Sequence, residues 1–293
     1  MKILCLTPIK HLDGIYEYLK SFGEVDYKPD TKDVDFSWNV DISKYDVIFC
    51  NPNKQNYKLD KDILENFNGT ILTASTGLNH IDVDYCKSKG IKVMSHKEDM
   101  KLLNQLPSTA ELAFGLMSSI VRNIPSSFDD VKVGGWDYDM HMGHQLQGKT
   151  IGIIGYGRLG KMMNKYCWAF GMRVMAYDPY VDKLKYTLDY VLENSDIISL
   201  HVHANDETRH MINKKTLGKM KKDSYIVNTS RGEIVNERDV IEDEYGDRHK
   251  SPILNGVKKG LNIIVTPHVG GMTWEGQQKA YKWAIDKLKD IND

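Results

Sequence analysis

Cysteine is scarce. The 293-residue chain has four, at positions 5, 50, 86 and 167, far apart and with no C-x-x-C pair. That spacing excludes a disulfide framework and a paired-thiol motif, and it reads as reduced thiols in a cytoplasmic protein. Long apolar runs are also missing. None approaches the roughly 18 residues that a membrane helix needs, and the opening MKILCLTPIK, broken at Pro8, reads as a first strand rather than a signal peptide. Charge of one sign is lacking too. Lys and Arg number 39 against 40 Asp and Glu, a net charge of −1, which gives no reason to expect nucleic acid or a membrane surface as partner. There is no internal repeat and no low-complexity linker. What is present, 41% hydrophobic and 27% charged residues, suits a globular chain with core enough for one large or two ordinary domains.

The chain is organised around residues 149–163, KTIGIIGYGRLGKMM. An apolar run at 151–154 predicts a strand. Gly155-Tyr156-Gly157-Arg158-Leu159-Gly160 follows, and 161–170 predicts a helix. Gly155 permits the tight turn, Gly157 lets backbone approach a pyrophosphate, and Gly160 allows close helix–strand packing. The phosphates are expected on the N–H groups at the helix start. A second strand at 173–177 ends in Asp178, at about the distance where an acid takes the ribose hydroxyls. Strand, glycine turn, helix and acid together predict dinucleotide binding.

Elsewhere strands and helices alternate. In residues 1–100 strands are expected at 2–6, 45–49, 70–73 and 92–94, with helices at 12–22, 58–66 and 82–88, the last capped by Asp82. A long helix is expected from Pro107 to Arg122. After Asp178 the pattern gives helices at 182–193 and 213–220, strands at 197–200, 225–228 and 263–266, and a closing amphipathic helix at 273–289. Such alternation predicts an α/β fold of two doubly wound parallel-sheet domains. One is a flavodoxin-like substrate domain at 1–103 and 273–293. The other is a Rossmann nucleotide-binding domain at 104–272. His141 and His144 have no carboxylate or cysteine companions at metal-ligand spacing, so no metal site is predicted.

Polar groups gather at expected strand ends, where open parallel sheets bind ligands. In the first domain these are the loops 50–53 and 75–79, which also have ordinary turn composition. In the second, Asn228-Thr229-Ser230-Arg231-Gly232 and Thr266-Pro267-His268-Val269-Gly270-Gly271 each follow a strand, and Glu244 lies between them. A buried Arg grips a carboxylate in a two-bond fork. A His passes a proton near neutral pH, and a carboxylate beside it favours imidazolium. Singly, each residue also fits an ion pair, a solvated charge or a core histidine. Together, beside a dinucleotide fold, they suit hydride reduction of a 2-oxo acid.

The sequence resembles the D-isomer-specific 2-hydroxyacid dehydrogenases over most of its length. STGLNHIDVDYCKSKGIKV is similar to the family's substrate-loop segment and LPSTAELAFGL to its interdomain helix. GGWDYDMHMGHQLQGKTIGIIGYGRLG is similar to its approach to the nucleotide turn, NTSRGEIVNE to its arginine loop, and TPHVGG to its histidine loop. The resemblance implies that Arg231 binds the substrate carboxylate and carbonyl, that His268 protonates the carbonyl oxygen, and that Glu244 pairs with His268. It implies substrate contacts from Ser75, Thr76 and Gly77, chiefly the backbone of the last two. It places His201, Val202 and Thr208 near the cofactor and Thr229 and Ser230 on its nicotinamide side, and has Asp178 select NAD over NADP. It further implies a homodimer, packed through the helix at 107–122 and the arm at 133–144 around Trp136.

One departure stands out. Between the arginine loop and Asp239-Val240-Ile241, which resembles the family strand leading to the glutamate, only residues 233–238 remain, about 9 Å of helix. A crossover to a parallel strand needs about a dozen residues or more. Either the chain lacks a strand, or a stretch is missing between Glu237 and Asp243. The second is favoured, because losing an inner strand leaves a row of backbone groups unpaired. Residues 239–242 also read as a continuation of helix. The function read from all this is NAD-dependent interconversion of a small 2-hydroxy acid and its 2-oxo acid. A non-catalytic NAD(H)-sensing protein on the same fold is the alternative, and a formate-type dehydrogenase a third reading. Arg231 and His268 favour the enzyme.

Overall fold

The computed structural model describes residues 1–29, 40–52, 58–240 and 251–292. The chain divides into two compact units, residues 1–106 with 272–293, and residues 107–271. Among the described residues no helix is long and apolar enough to cross a membrane.

The first unit is built on a parallel sheet of β1 (Lys2–Cys5), β2 (Glu24–Tyr27), β3 (Val47–Phe49), β4 (Thr70–Thr73) and β5 (Lys92–Ser95), in the order β2-β1-β3-β4-β5. Its inner strands β3 (VIF) and β4 (TILT) are buried at every position, so they read as apolar and β-branched runs without alternation. One face packs against Ile15–Lys20 and Trp274–Asp286 through Ile15, Leu19, Ala280, Tyr281, Ala284 and Ile285. The other packs on Leu59, Leu64, Phe67 and Cys86. Capping sets the helix starts: Asp82 accepts from the Tyr85 N–H at 3.0 Å, and Thr273 from the Gly276 N–H at 3.1 Å. The strand β2 was not expected. Its sequence, EVDY, alternates charge with apolar side chains, which is how a half-buried edge strand reads.

The second unit holds β6 (Thr150–Ile154), β7 (Arg173–Tyr177), β8 (Ile197–Leu200) and β9 (Tyr225–Asn228), all parallel, in the order β7-β6-β8-β9. The helices Ser108–Val121 and Arg158–Ala169 cover one face through Ala113, Met117, Val121, Met163 and Cys167. Pro107 precedes the first of these as its cap.

Two expectations fail here. The helix predicted at 182–193 begins only at Leu188, because the Thr187 hydroxyl caps it by accepting from the Tyr190 N–H at 3.2 Å. The strand predicted at 263–266 does not form. The chain after β9 goes instead into a short 3-10 turn (Gly232–Ile234) and the helices Glu237–Val240 and Pro252–Lys258. The Ile263 N–H then folds back on the Leu261 carbonyl at 2.7 Å. Among the described residues the sheet ends at β9, and Ile263, Ile264 and Val265 pair with no strand. Asp239 and Val240 belong to a helix, as their second reading held. The remainder of the 237–243 junction, Glu244 and Asn53 lie outside the described residues.

Candidate active site

The carboxyl ends of β6, β8 and β9 carry the predicted cofactor residues. Gly155 ends β6 with φ +91°, donating its N–H to the Tyr177 carbonyl at 2.9 Å. A Cβ there would stand 2.6 Å from the His201 carbonyl oxygen and 2.9 Å from Val202 Cγ1, so only glycine fits. A Cβ on Gly160 would collide with the Gly155 carbonyl, which is how Arg158–Ala169 reaches so close to the turn. Gly157 differs. A Cβ there meets nothing within 4 Å, so the protein interior does not demand glycine at this position. The open space lies just ahead of the helix N–H groups, in line with an approaching phosphate. Tyr156, Arg158 and Leu159 complete the turn, and burial lowers the Arg158 pKa.

Asp178, just past β7, accepts from the Tyr156 N–H at 2.8 Å and the Tyr180 N–H at 2.9 Å, one on each carboxylate oxygen. Each oxygen keeps a lone pair for a ribose hydroxyl. Tyr180 donates its hydroxyl to Glu207, a contact that nothing in the sequence announced. Arg173 is turned away, its Nη2 donating to the Gly148 carbonyl at 3.0 Å.

At the end of β8, His201 Nε2 is 2.9 Å from Ser199 Oγ, while Nδ1 is buried without a partner. Burial pushes the His201 pKa down to about 4, so the ring is neutral at pH 7. Thr208 closes its own loop, donating to the His203 carbonyl at 2.5 Å and accepting from the Asn205 N–H at 3.0 Å. At the end of β9 the Thr229 hydroxyl is likewise buried with no partner. Ser230 ties β9 to β8 by donating to the Leu200 carbonyl at 2.9 Å. Unpaired buried polar atoms are rare enough to need a reason. Two on adjacent strand ends, beside a glycine turn whose second glycine faces open space, fit a dinucleotide.

Arg231 is half-buried, and its Nη1 donates to the Ser230 carbonyl at 2.9 Å. No carboxylate pairs with it among the described residues. Asn228 Nδ2 fixes the turn by donating to the Arg231 carbonyl at 2.8 Å. His268 is exposed, with φ +57°, unusual outside glycine. Its N–H reaches the Thr266 carbonyl at 2.8 Å, and Thr109 Oγ1 anchors the loop by donating to the Gly270 carbonyl at 3.1 Å. His268 is therefore held by a turn and by the helix Ser108–Val121, not by a strand.

In the first unit, Ser75, Thr76 and Gly77 follow β4. Ser75 Oγ donates to the Gly77 carbonyl at 2.7 Å. The Thr76 and Gly77 N–H groups have no protein partner among the described residues. No group of His, Cys, Asp and Glu suited to a metal ion occurs among those residues.

Comparison with known proteins identifies the family. Residues 114–245 match the family profile described as D-isomer specific 2-hydroxyacid dehydrogenase, NAD binding domain. The chain is 35% identical to a hydroxypyruvate reductase of Thermotoga maritima, over 74% of this chain and 76% of that one. It is 31% identical to a D-3-phosphoglycerate dehydrogenase of Methanocaldococcus jannaschii, over 99% of this chain but only 57% of that longer one. Its fold superposes on the D-lactate dehydrogenase of Aquifex aeolicus, solved with NAD and lactic acid, with a TM-score of 0.79, 26% identity, and 100% and 95% of the two chains covered. The chain belongs to the D-isomer specific 2-hydroxyacid dehydrogenase family and is an NAD-dependent oxidoreductase of that family.

Proposed function

We propose that the chain interconverts a small 2-oxo acid and its D-2-hydroxy acid, with Arg231 and His268 as the working pair. Arg231 carries this reading. It is a half-buried guanidinium with no carboxylate of its own among the described residues, two positions from the orphaned Thr229 hydroxyl. Such a group offers its planar fork to a substrate carboxylate. NADH, when bound, supplies the hydride. As the carbonyl carbon receives it, His268 gives its proton to the carbonyl oxygen, and the 2-hydroxy acid leaves. Glu244, which lies outside the described residues, is the proposed partner of His268. On the first unit, the N–H groups of Thr76 and Gly77, unpaired among the described residues, suit a carboxylate oxygen, and the small, polar loop suits a polar substrate.

The same reading makes residues 104–272 the NAD-binding domain, and 1–103 with 273–293 the substrate domain. Asp178 favours NAD over NADP, because it would face a 2′-phosphate with Arg173 engaged elsewhere. A homodimer in the cytoplasm completes the proposal. Phe128, Val133, Trp136, Tyr138, Met140 and Met142 are each 61–85% exposed, and large apolar side chains exposed together suit a partner's surface. The test is a panel of 2-oxo acids with NADH, followed by loss of NADH absorbance. Turnover of at least one small 2-oxo acid to the D product is expected, and no turnover of any would overturn the proposal.

A further inference from the structure

We infer that Thr73 is a positioning residue for the substrate loop, its hydroxyl holding Ser75–Gly77 in the shape that presents two free N–H groups. The inference rests on the reading of that loop as a carboxylate site. Thr73 is the last residue of β4 and is fully buried, so it cannot touch substrate itself. Its Oγ1 lies 3.0 Å from Asn51 Oδ1, 3.1 Å from Ser75 Oγ and 3.3 Å from His80 Nε2. Asn51 is fixed in turn. Its Oδ1 accepts from the Ala74 N–H at 2.8 Å, and its Nδ2 donates to the Tyr281 hydroxyl at 2.7 Å, which is 3.0 Å from Thr7 Oγ1. Ends of β1, β3, β4 and the helix Trp274–Asp286 thus meet in one polar cluster.

Proton counting gives the cluster a direction. Burial pushes the His80 pKa down to about 4, so the ring is neutral with a single N–H. Its Nδ1 has no partner, which assigns that N–H to Nε2, donating to Thr73. The single Thr73 proton is then shared in a three-centre bond between Asn51 Oδ1, which the Ala74 N–H also serves, and Ser75 Oγ, whose own proton goes to the Gly77 carbonyl. That last bond spans the two peptides that carry the Thr76 and Gly77 N–H groups. A cluster made only for stability would have no need to end on this loop.

The test is Thr73→Val, which keeps the shape and removes the hydroxyl, set beside Thr73→Ser, which restores it. For a 2-oxo acid that the wild type reduces, Thr73→Val should raise KM about tenfold, with kcat within about twofold, the pattern of lost uniform binding. The NADH dissociation constant should not move, and Thr73→Ser should return KM to within about threefold of wild type. Tyr281→Phe, which takes the acceptor from Asn51, should raise KM in the same direction by about threefold, and it carries the test if Thr73→Val does not fold. A lowered Tm with unchanged KM in these variants, or a KM that serine fails to restore, would overturn the inference alone. A wild type that reduces no 2-oxo acid would overturn it together with the reading beneath it.

Discussion

Asp178 holds the nucleotide turn by its backbone: one carboxylate oxygen accepts the Tyr156 N–H at 2.8 Å. The acid expected at the ribose therefore also braces the loop expected at the pyrophosphate. Asp178→Ala should weaken NADH binding by about ten- to a hundredfold, since it removes a charge-assisted bond to the turn along with the ribose contacts. The wild type should prefer NADH to NADPH. Titration of both cofactors by protein fluorescence measures this, and equal affinities would remove Asp178 from the ribose.

Gly157 and Gly160 should fail in different ways. Gly160→Ala forces a methyl onto the Gly155 carbonyl, an overpacking that costs about 1–3 kcal/mol and lowers Tm by several degrees. Gly157→Ala meets no protein atom, so Tm should hold while NADH affinity drops about tenfold or more. Thermal melts with and without NADH separate the two. A Gly157→Ala chain that binds NADH normally would show that the cofactor does not approach this turn.

Acid should destabilise both units over one pH window. His80 in the first unit and His201 in the second are each pushed from the ordinary 6.5 down to about 4 by burial. The unfolded chain takes up those protons near pH 6.5 and the folded chain does not. Stability is therefore full above that pH and is lost as pH falls towards 4, by on the order of 3 kcal/mol for each ring. Asp286, with its pKa lowered to about 2, contributes at more acid pH. Urea midpoints at about pH 7 and about pH 5 test this, and equal midpoints would contradict it.

Much of this was legible in the sequence because burial on both faces leaves a plain mark. Residues 47–49, 70–73, 151–154 and 197–200 are apolar or β-branched but for Gly152 and Ser199, and all are inner strands. Glycine at 155 and 160 was legible because backbone geometry leaves no other choice. The edge strand β2 was not, because none of its four residues is fully buried and charged residues alternate with apolar ones. Ile263 to Thr266 carried a strand's composition without a strand's partner, and pairing is a property of the sheet that no short run of residues contains. The cluster of Thr7, Asn51, Thr73 and Tyr281 was invisible for a related reason: its members are up to 274 residues apart.

The exposed aromatic arm gives a separate prediction. The wild type should run as a dimer by light scattering at micromolar concentration. Trp136→Asp should shift it towards monomer, because a charge in the apolar centre of an interface is left unpaired. A wild-type monomer would leave that surface without the proposed partner.

Arg231 and His268 are proposed to perform the chemistry although, among the described residues, no strand carries the histidine loop. Steady-state reduction of the best 2-oxo acid by NADH, compared among wild type, Arg231→Ala and His268→Ala, tests it most directly. In His268→Ala kcat should fall about a hundredfold or more, the scale of a lost general acid. Arg231→Ala should lose turnover and bind the 2-oxo acid more weakly, while both variants should bind NADH as the wild type does. Turnover at the wild-type rate in both variants would contradict it.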